Sequence, residues 1–252
     1  MNDSATIQRC LAYVETQLSP SRAGRRSGCP LCVTLSRQSG SGGTAIARLL
    51  ASYLDVHHPS GGPRWTIFDK ALVERVLREH NLPAKFAQYM PEDRVSYVQD
   101  TIEELFGLHP STTELVSQVS QTILGLAEMG HCILIGRAAN VILARSPGAF
   151  HVRIISPFER RVERVMRDLD LAQGAAMEFI NHEDAARARY VRTHFEADVA
   201  NPMAYDLVVN SGTLTETQAA RLIGEAVIMH AESVPATTPA PHHTVAHEPV
   251  PS

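Results

Sequence analysis

Five short runs of mostly apolar residues alternate with segments of helical periodicity along this chain. The runs occupy residues 31–35, 65–68, 132–135, 152–155 and 206–209. The intervening segments place apolar side chains three and four positions apart, as in Ile46, Leu49, Leu50, Tyr53 and Leu54, which is typical of one buried helix face. Alternating strands and helices predict an α/β fold, a three-layer sandwich around a five-stranded parallel sheet. A further helix is expected on residues 72–77.

A glycine-rich loop joins the first run to its helix, with the sequence Gly40-Ser41-Gly42-Gly43-Thr44. Such a loop suits a phosphate group, because small residues let the backbone approach and the free N–H groups of the helix start attract an anion. A phosphate-binding P-loop reads G-x-x-x-x-G-K-[ST]. Here Gly43 replaces the lysine and Arg37 replaces the first glycine. A tight turn that needs no ligand is the alternative.

Polar residues also follow the second and third runs. Asp69 comes directly after the second run, and Gly136-Arg137 follows the third. Parallel sheets bind ligands beyond the carboxyl ends of their strands. The agreement between these separate segments favours a phosphate site over a bare turn.

An arginine-rich, lysine-free region extends from Arg153 to Arg192. Arg160 and Arg164 lie four residues apart, so we expect them on one helix face. Guanidinium groups match phosphate oxygens and stay charged. A segment at about 168–200 that closed over a phosphate would supply charge and exclude water. The alternative is a solvated helix face paired with neighbouring acidic residues.

The bulk composition restricts the class of protein without choosing the function. The chain has 252 residues, 44% of them hydrophobic and 20% charged, as in soluble globular proteins. The net charge of −4 disfavours nucleic acid as a partner. No apolar run reaches membrane-spanning length, and we expect a cytoplasmic protein with no membrane partner. Cys29 and Cys32 form a CxxC pair, but a metal or redox role needs a second pair or a thioredoxin-like context, so we interpret the spacing as a coincidence.

The chain divides into three parts by composition. Residues 1–28 are expected to form a peripheral helix and linker, and residues 29–232 a single folded domain. Residues 233–252 are rich in proline and histidine and contain no Phe, Trp or Tyr, which predicts disorder. The N-terminal helix and this tail are candidate docking elements for a protein partner.

Six stretches together resemble one known family, the cytidylate kinase-like family. In chain order they are SRQSGSGG, FDK, IGRAANVIL, SPFERRVERVM, HEDAARARYVR and YDLVVNSGTL. The resemblance covers about residues 31–228. It implies a P-loop nucleoside monophosphate kinase fold with an arginine-bearing lid. It also implies ATP- and Mg²⁺-dependent phosphoryl transfer to a nucleotide, such as CMP.

The resemblance also assigns roles to individual residues. Residues 40–44 look like the donor-phosphate loop, with Thr44 as the Mg²⁺ contact. Asp69 corresponds to an acidic residue near the acceptor, and Arg137 to the arginine of a G-R-D motif that faces the acceptor phosphate. The remaining implied residues lie in the lid and in the helix that leads into it: Asp184, Arg187, Arg189, Arg160 and Arg164.

This chain departs from true cytidylate kinases at Gly43, at Ala138 in place of the G-R-D aspartate, and at Ile135 in place of an acid. Three functions therefore stay open. The first is a kinase in which Arg37, from the same loop, replaces the missing lysine. The second is a non-catalytic regulatory protein that binds a nucleotide. A kinase acting on another small molecule is a third.

Overall fold

A fully parallel five-stranded sheet forms the centre of the protein. The computed structural model describes residues 12–13, 29–58, 64–69 and 114–234. Its strands are β1 (Cys32–Arg37), β2 (Thr66–Phe68), β3 (Cys132–Ile135), β4 (Ala149–Ile155) and β5 (Leu207–Asn210). They pair in the order β2-β3-β1-β4-β5, each pair parallel. The predicted α/β sheet is therefore confirmed.

Helices cover both faces of this sheet. They are α1 (Gly43–His57), α2 (Glu114–Met129), α3 (Ala139–Ile142), α4 (Phe158–Leu169), α5 (Gln173–Phe195) and α6 (Glu216–Ser233), with one 3₁₀ turn at Pro202–Ala204. Helices α1 and α6 pack on one face, and α2 and α3 on the other. Helices α4 and α5 form a separate apolar cluster with each other. None of the described helices is long and apolar enough to cross a bilayer.

The strand register brings the candidate site residues to one edge. Leu35 of β1 lies beside Ile135 of β3, and Phe68 of β2 lies beside Leu134. The residues that follow each strand therefore emerge side by side at the carboxyl end of the sheet. Ligands bind at this edge in open parallel sheets.

Strand pairing changes several predicted boundaries. β1 continues to Arg37 because Arg37 pairs with Ile154 of β4. The expectation that Arg37 lies within the glycine loop is therefore wrong, since Arg37 is the last residue of the strand that precedes the loop. β4 begins at Ala149 and β5 ends at Asn210. The helix expected on residues 72–77 lies outside the described residues, as do nearly all of residues 1–28 and the tail after residue 234.

The CxxC pair lies at the start of β1, with Cys29 before the strand and Cys32 as its first residue. Cys29 and Cys32 are both free thiols, and Cys32 is buried in β1 directly beside Cys132 of β3. The hydrogen bond with Cys132, together with burial, raises the pKa of the Cys32 thiol well above its usual value. Cys32 is thus an inert part of the core, because a thiol in this environment stays protonated.

Helices α1 and α6 meet where Gly224 faces the ring of Tyr53, and a Cβ at Gly224 would overlap that ring. We expect Gly224→Ala to lower the melting temperature, since overpacking costs about 1–3 kcal/mol. Each kcal/mol corresponds to about 2–4 °C in a domain of this size. Gly174→Ala is the matched control, because its Cβ would meet nothing within 4 Å. Equal melting temperatures of the two variants would contradict this packing.

Candidate functional site

A cavity of about 310 Å³ opens at the carboxyl ends of β1 and β3. Residues from β1, from the turn that follows β3, from α3 and from α5 surround it. Its polar and aromatic lining includes Ser36, Arg37, Arg137, Asn140, Glu183, Arg187 and Tyr190. Three guanidinium groups against one carboxylate make this lining suitable for an anion.

Arg37 extends from the end of β1 into the cavity. A Cβ built on Gly43 would lie 3.0 Å from both Cβ and Cγ of Arg37, and one on Gly136 would overlap its Nη1. Two glycines therefore leave room for one arginine. Burial lowers the pKa of Arg37 to about 10, Arg187 lowers it too, and Asp69 and Glu183 oppose the change. Arg37 stays positively charged at neutral pH.

Arg137 joins the sheet edge to α5. Arg137 and Ala138 both have left-handed backbones, with φ of 56° and 57°, which turn the chain sharply from β3 into α3. The Arg137 guanidinium carbon lies 5.3 Å from the ring centre of Tyr190, within cation–π range. Burial raises the pKa of the Tyr190 hydroxyl, and Arg137 partly offsets this. This stacked pair lines one side of the cavity.

Asp184 of α5 ties the helix to the loop that follows β1. Its carboxylate accepts hydrogen bonds from the Ser39 N–H at 2.8 Å, from Arg161 at 2.5 Å and from Arg187 at 2.6 Å. Burial would raise the pKa of Asp184, but the Ser39 N–H and the two guanidinium groups outweigh it and lower the pKa. Arg187 also donates to the Ser39 hydroxyl. One carboxylate thus connects three segments of the chain.

The glycine loop is packed tightly beneath α4. Gly40 has φ of +72°, and a Cβ there would lie 2.6 Å from the Arg161 carbonyl oxygen. Arg164 donates to the Gly40 carbonyl at 2.9 Å. Gly42, with φ of 79°, caps the start of α1 in a left-handed conformation. Close packing and backbone conformation therefore account for Gly40 and Gly42 without a ligand.

The structure brings part of the predicted site set together. Arg37, Arg137 and Arg187 line the same cavity, so Arg137 and Arg187 lie on the same side of the sheet edge. Asp69 is exposed at the end of β2, and its negative charge acts to raise the pKa of Arg37. Thr44 is exposed in the first turn of α1, outside the cavity lining.

The other predicted arginines separate into two groups. Arg164 contacts the glycine loop through Gly40. Arg160 is exposed and pairs with Glu163 at 3.1 Å, and Arg189 is exposed on α5. Arg160 and Arg164 lie four residues apart on α4, as expected, but the α4 arginines that donate to the loop are Arg161 and Arg164.

Sequence reasoning missed three residues of the site region. Arg161 is 8% exposed, and the buried neighbours Val162 and Val165 on α4 were a sequence signal for its inward orientation. Tyr190 lies in the HEDAARARYVR stretch, in which the sequence analysis assigned roles only to charged residues. Asn140 gave no sequence signal beyond its place in the segment after β3.

Comparison with known proteins identifies the family. Residues 32–213 match the model of the cytidylate kinase-like family, and the chain belongs to this family. The resemblance inferred from the six sequence stretches is therefore confirmed.

Individual relatives are more distant. The chain is 30% identical over 115 residues to a protein named uronate isomerase from Corynebacterium glutamicum, a match that covers 46% of this chain but only 22% of that protein. An uncharacterised protein from Eubacterium ventriosum ATCC 27560 has a similar structure, with a TM-score of 0.53, 16% identity, and 79% of this chain and 98% of that chain covered. A shikimate kinase from Acinetobacter baumannii in complex with shikimate aligns with a TM-score of 0.40, 14% identity and coverage of 80% and 94%.

We expect Asp184→Asn to lower the melting temperature, because it removes the charge shared by Arg161 and Arg187. A hydrogen bond to a charged group contributes about 1.5–3 kcal/mol. Glu163→Gln is the matched control, because Glu163 and its partner Arg160 are 64% and 62% exposed. Such exposed ion pairs contribute about 0–1 kcal/mol.

The effect of Asp184→Asn should also depend on pH. The folded state lowers the pKa of Asp184, so its stabilisation is fully present above the unfolded pKa of about 4 and is lost as the pH falls through the folded value. The difference in melting temperature between wild type and variant should stay constant above about pH 5 and shrink below about pH 4. An undiminished difference in stronger acid would contradict the assignment.

Proposed function

We propose that this member of the cytidylate kinase-like family transfers a phosphoryl group from ATP–Mg²⁺ to a small anionic acceptor, a nucleoside monophosphate being the first candidate. The observation that carries the proposal is the convergence of Arg37, Arg137 and Arg187 on one cavity beside the glycine loop. Phosphoryl transfer requires positive charge around the moving group and alignment of both reactants. The cavity supplies the charge, and its rigid strand-end position supplies the alignment.

Arg37 takes the role of the missing P-loop lysine in this proposal. Its stem lies against Gly43, where that lysine would stand, and its guanidinium reaches the cavity. Arg37 therefore connects the donor loop with the acceptor site. Arg137 and Arg187 hold the acceptor's anionic group, and Tyr190 covers one side of it.

The donor side consists of residues 40–44 and the N-terminus of α1. The Thr44 hydroxyl is exposed there and forms no hydrogen bond with the described part of the chain, so it is free to contact a Mg²⁺ ion. Within residues 12–13, 29–58, 64–69 and 114–234, no three acidic, histidine or cysteine side chains form a metal site. This fits Mg²⁺, which is bound mainly through waters and substrate phosphates. When bound, the ion neutralises phosphate charge.

A non-catalytic nucleotide sensor is the second candidate, and Asp184 is the observation that favours it. Its carboxylate accepts the Ser39 N–H, a backbone donor at the start of the loop. A nucleotide that drew this loop away from Asp184 would change how α5 is held. The binding signal would then be a movement of α5, read by a partner.

Incubation with ATP, Mg²⁺ and a panel of nucleoside monophosphates tests the proposal. We expect ADP release that depends on one acceptor. ATP binding without turnover on any acceptor would contradict the kinase and support the sensor. Failure to bind ATP would contradict both.

Substitutions at positions 37 and 43 test the replacement of the lysine. We expect Arg37→Ala to lower kcat by about 10²–10³, the loss typical of one transition-state charge donor. Arg48→Ala, which removes an exposed arginine of α1, is the control and should change little. Lysine introduced at Gly43 should restore part of the activity in the Arg37→Ala background, where the Arg37 Cγ no longer crowds position 43. Unchanged turnover in Arg37→Ala would overturn this role.

A further inference from the structure

Asn140 carries an amide that lines the cavity and that the described fold does not use. It lies on α3, is 8% exposed and lines the cavity. Its carboxamide forms no hydrogen bond with any described residue, whereas the buried Thr34 hydroxyl is bonded to His151 at 2.8 Å. The amide atoms are not among the fully enclosed, unpaired side-chain atoms of the described residues, so they are accessible from the cavity. An unpaired amide in this position is a candidate for pairing with a ligand.

The turn before α3 places this amide next to Arg137. Arg137 and Ala138 are left-handed, and the helix that follows buries Ala139 and Ile142 in the core beside α2. Asn140, between them in sequence, lines the cavity instead, as Arg137 does. The amide and the guanidinium therefore belong to one binding surface.

Ser36 of β1 adds a second polar group to this surface. Its Oγ accepts a hydrogen bond from Arg153 at 3.4 Å, and the Tyr205 hydroxyl, 3.3 Å away, donates to the Val199 carbonyl at 2.9 Å. Arg153 is 8% exposed, and among the described residues it contacts these hydroxyls and the Tyr205 ring without a carboxylate. Ser36 is therefore held by a buried cation at the edge of the cavity.

We infer that Asn140 determines acceptor specificity by hydrogen bonding to a polar edge of the acceptor, with Ser36 beside it. This inference rests on the proposed function. A carboxamide offers a donor and an acceptor side by side, so its partner is an edge that presents one of each, as a nucleobase does. Arg137 and Arg187 hold the anionic group of the same molecule. The acceptor class is thus a phosphate ester that carries such an edge.

Asn140→Leu, which keeps the size and removes both polar groups, tests the inference. The probes are CMP, UMP and ribose 5-phosphate, the last of which has the phosphate ester but no base. We expect affinity for the preferred nucleotide to fall at least about tenfold, because a site built to bond a polar group discriminates strongly against its loss. Affinity for ribose 5-phosphate should stay unchanged. Asn181→Leu, at an exposed position on α5, is the matched control and should bind every probe as wild type does.

Thermal unfolding without ligand separates recognition from a structural role. An amide that pairs with nothing in the fold can be replaced without loss, so we expect the melting temperature of Asn140→Leu to equal or exceed that of the wild type. A fall of several degrees would show that the fold uses the amide and would overturn the inference. Equal nucleotide affinity of wild type and variant would overturn it and leave the proposed function standing. Failure of the wild-type protein to bind any nucleotide would overturn both.

Discussion

The carboxylate of Asp184 is the interaction on which the geometry of the site depends. Arg161 and Arg187 approach within 2.5–2.6 Å of it, and without this negative charge the two guanidinium groups would repel each other. The same carboxylate accepts a hydrogen bond from the Ser39 N–H. It therefore anchors α4, α5 and the loop after β1 to one another. The helix held by this anchor also carries Tyr190, which lies against Arg137 at the sheet edge and lines the cavity. Charge-assisted contacts of this kind are about twice as strong as neutral hydrogen bonds.

A second constraint links positions 37 and 43. The stem of Arg37 fills the space into which a side chain at position 43 would project. An arginine at 37 and a lysine at 43 would therefore compete for one volume, and both would add positive charge next to Arg187. The position of the Arg37 stem therefore favours a glycine at 43. In the proposed function, Arg37 at the end of β1 supplies the charge that a lysine at position 43 supplies in a P-loop.

Sequence patterns predicted the sheet because buried parallel strands are continuous apolar runs. They also predicted the edge that carries the site, because Arg37 and Arg137 each follow such a run and β1 lies beside β3. They did not predict which α4 arginine meets the loop. Four-residue spacing selected Arg160, whereas the packing of Val162 and Val165 sets the helix rotation that buries Arg161. The end of β1 depends on pairing with β4, a partner over a hundred residues away. The role of Asn140 was hidden from sequence reasoning, because an amide is recognised as unpaired only once its neighbours are known.

The left-handed pair at Arg137 and Ala138 has a consequence for the stability of the cavity edge. Alanine is poorly suited to such a backbone, at a cost of about 1–2 kcal/mol, whereas aspartate and asparagine tolerate it better. The rest of the fold therefore holds Ala138 in a strained turn directly beside a guanidinium that lines the cavity. Local strain at the rim of a cavity is a common feature of functional sites.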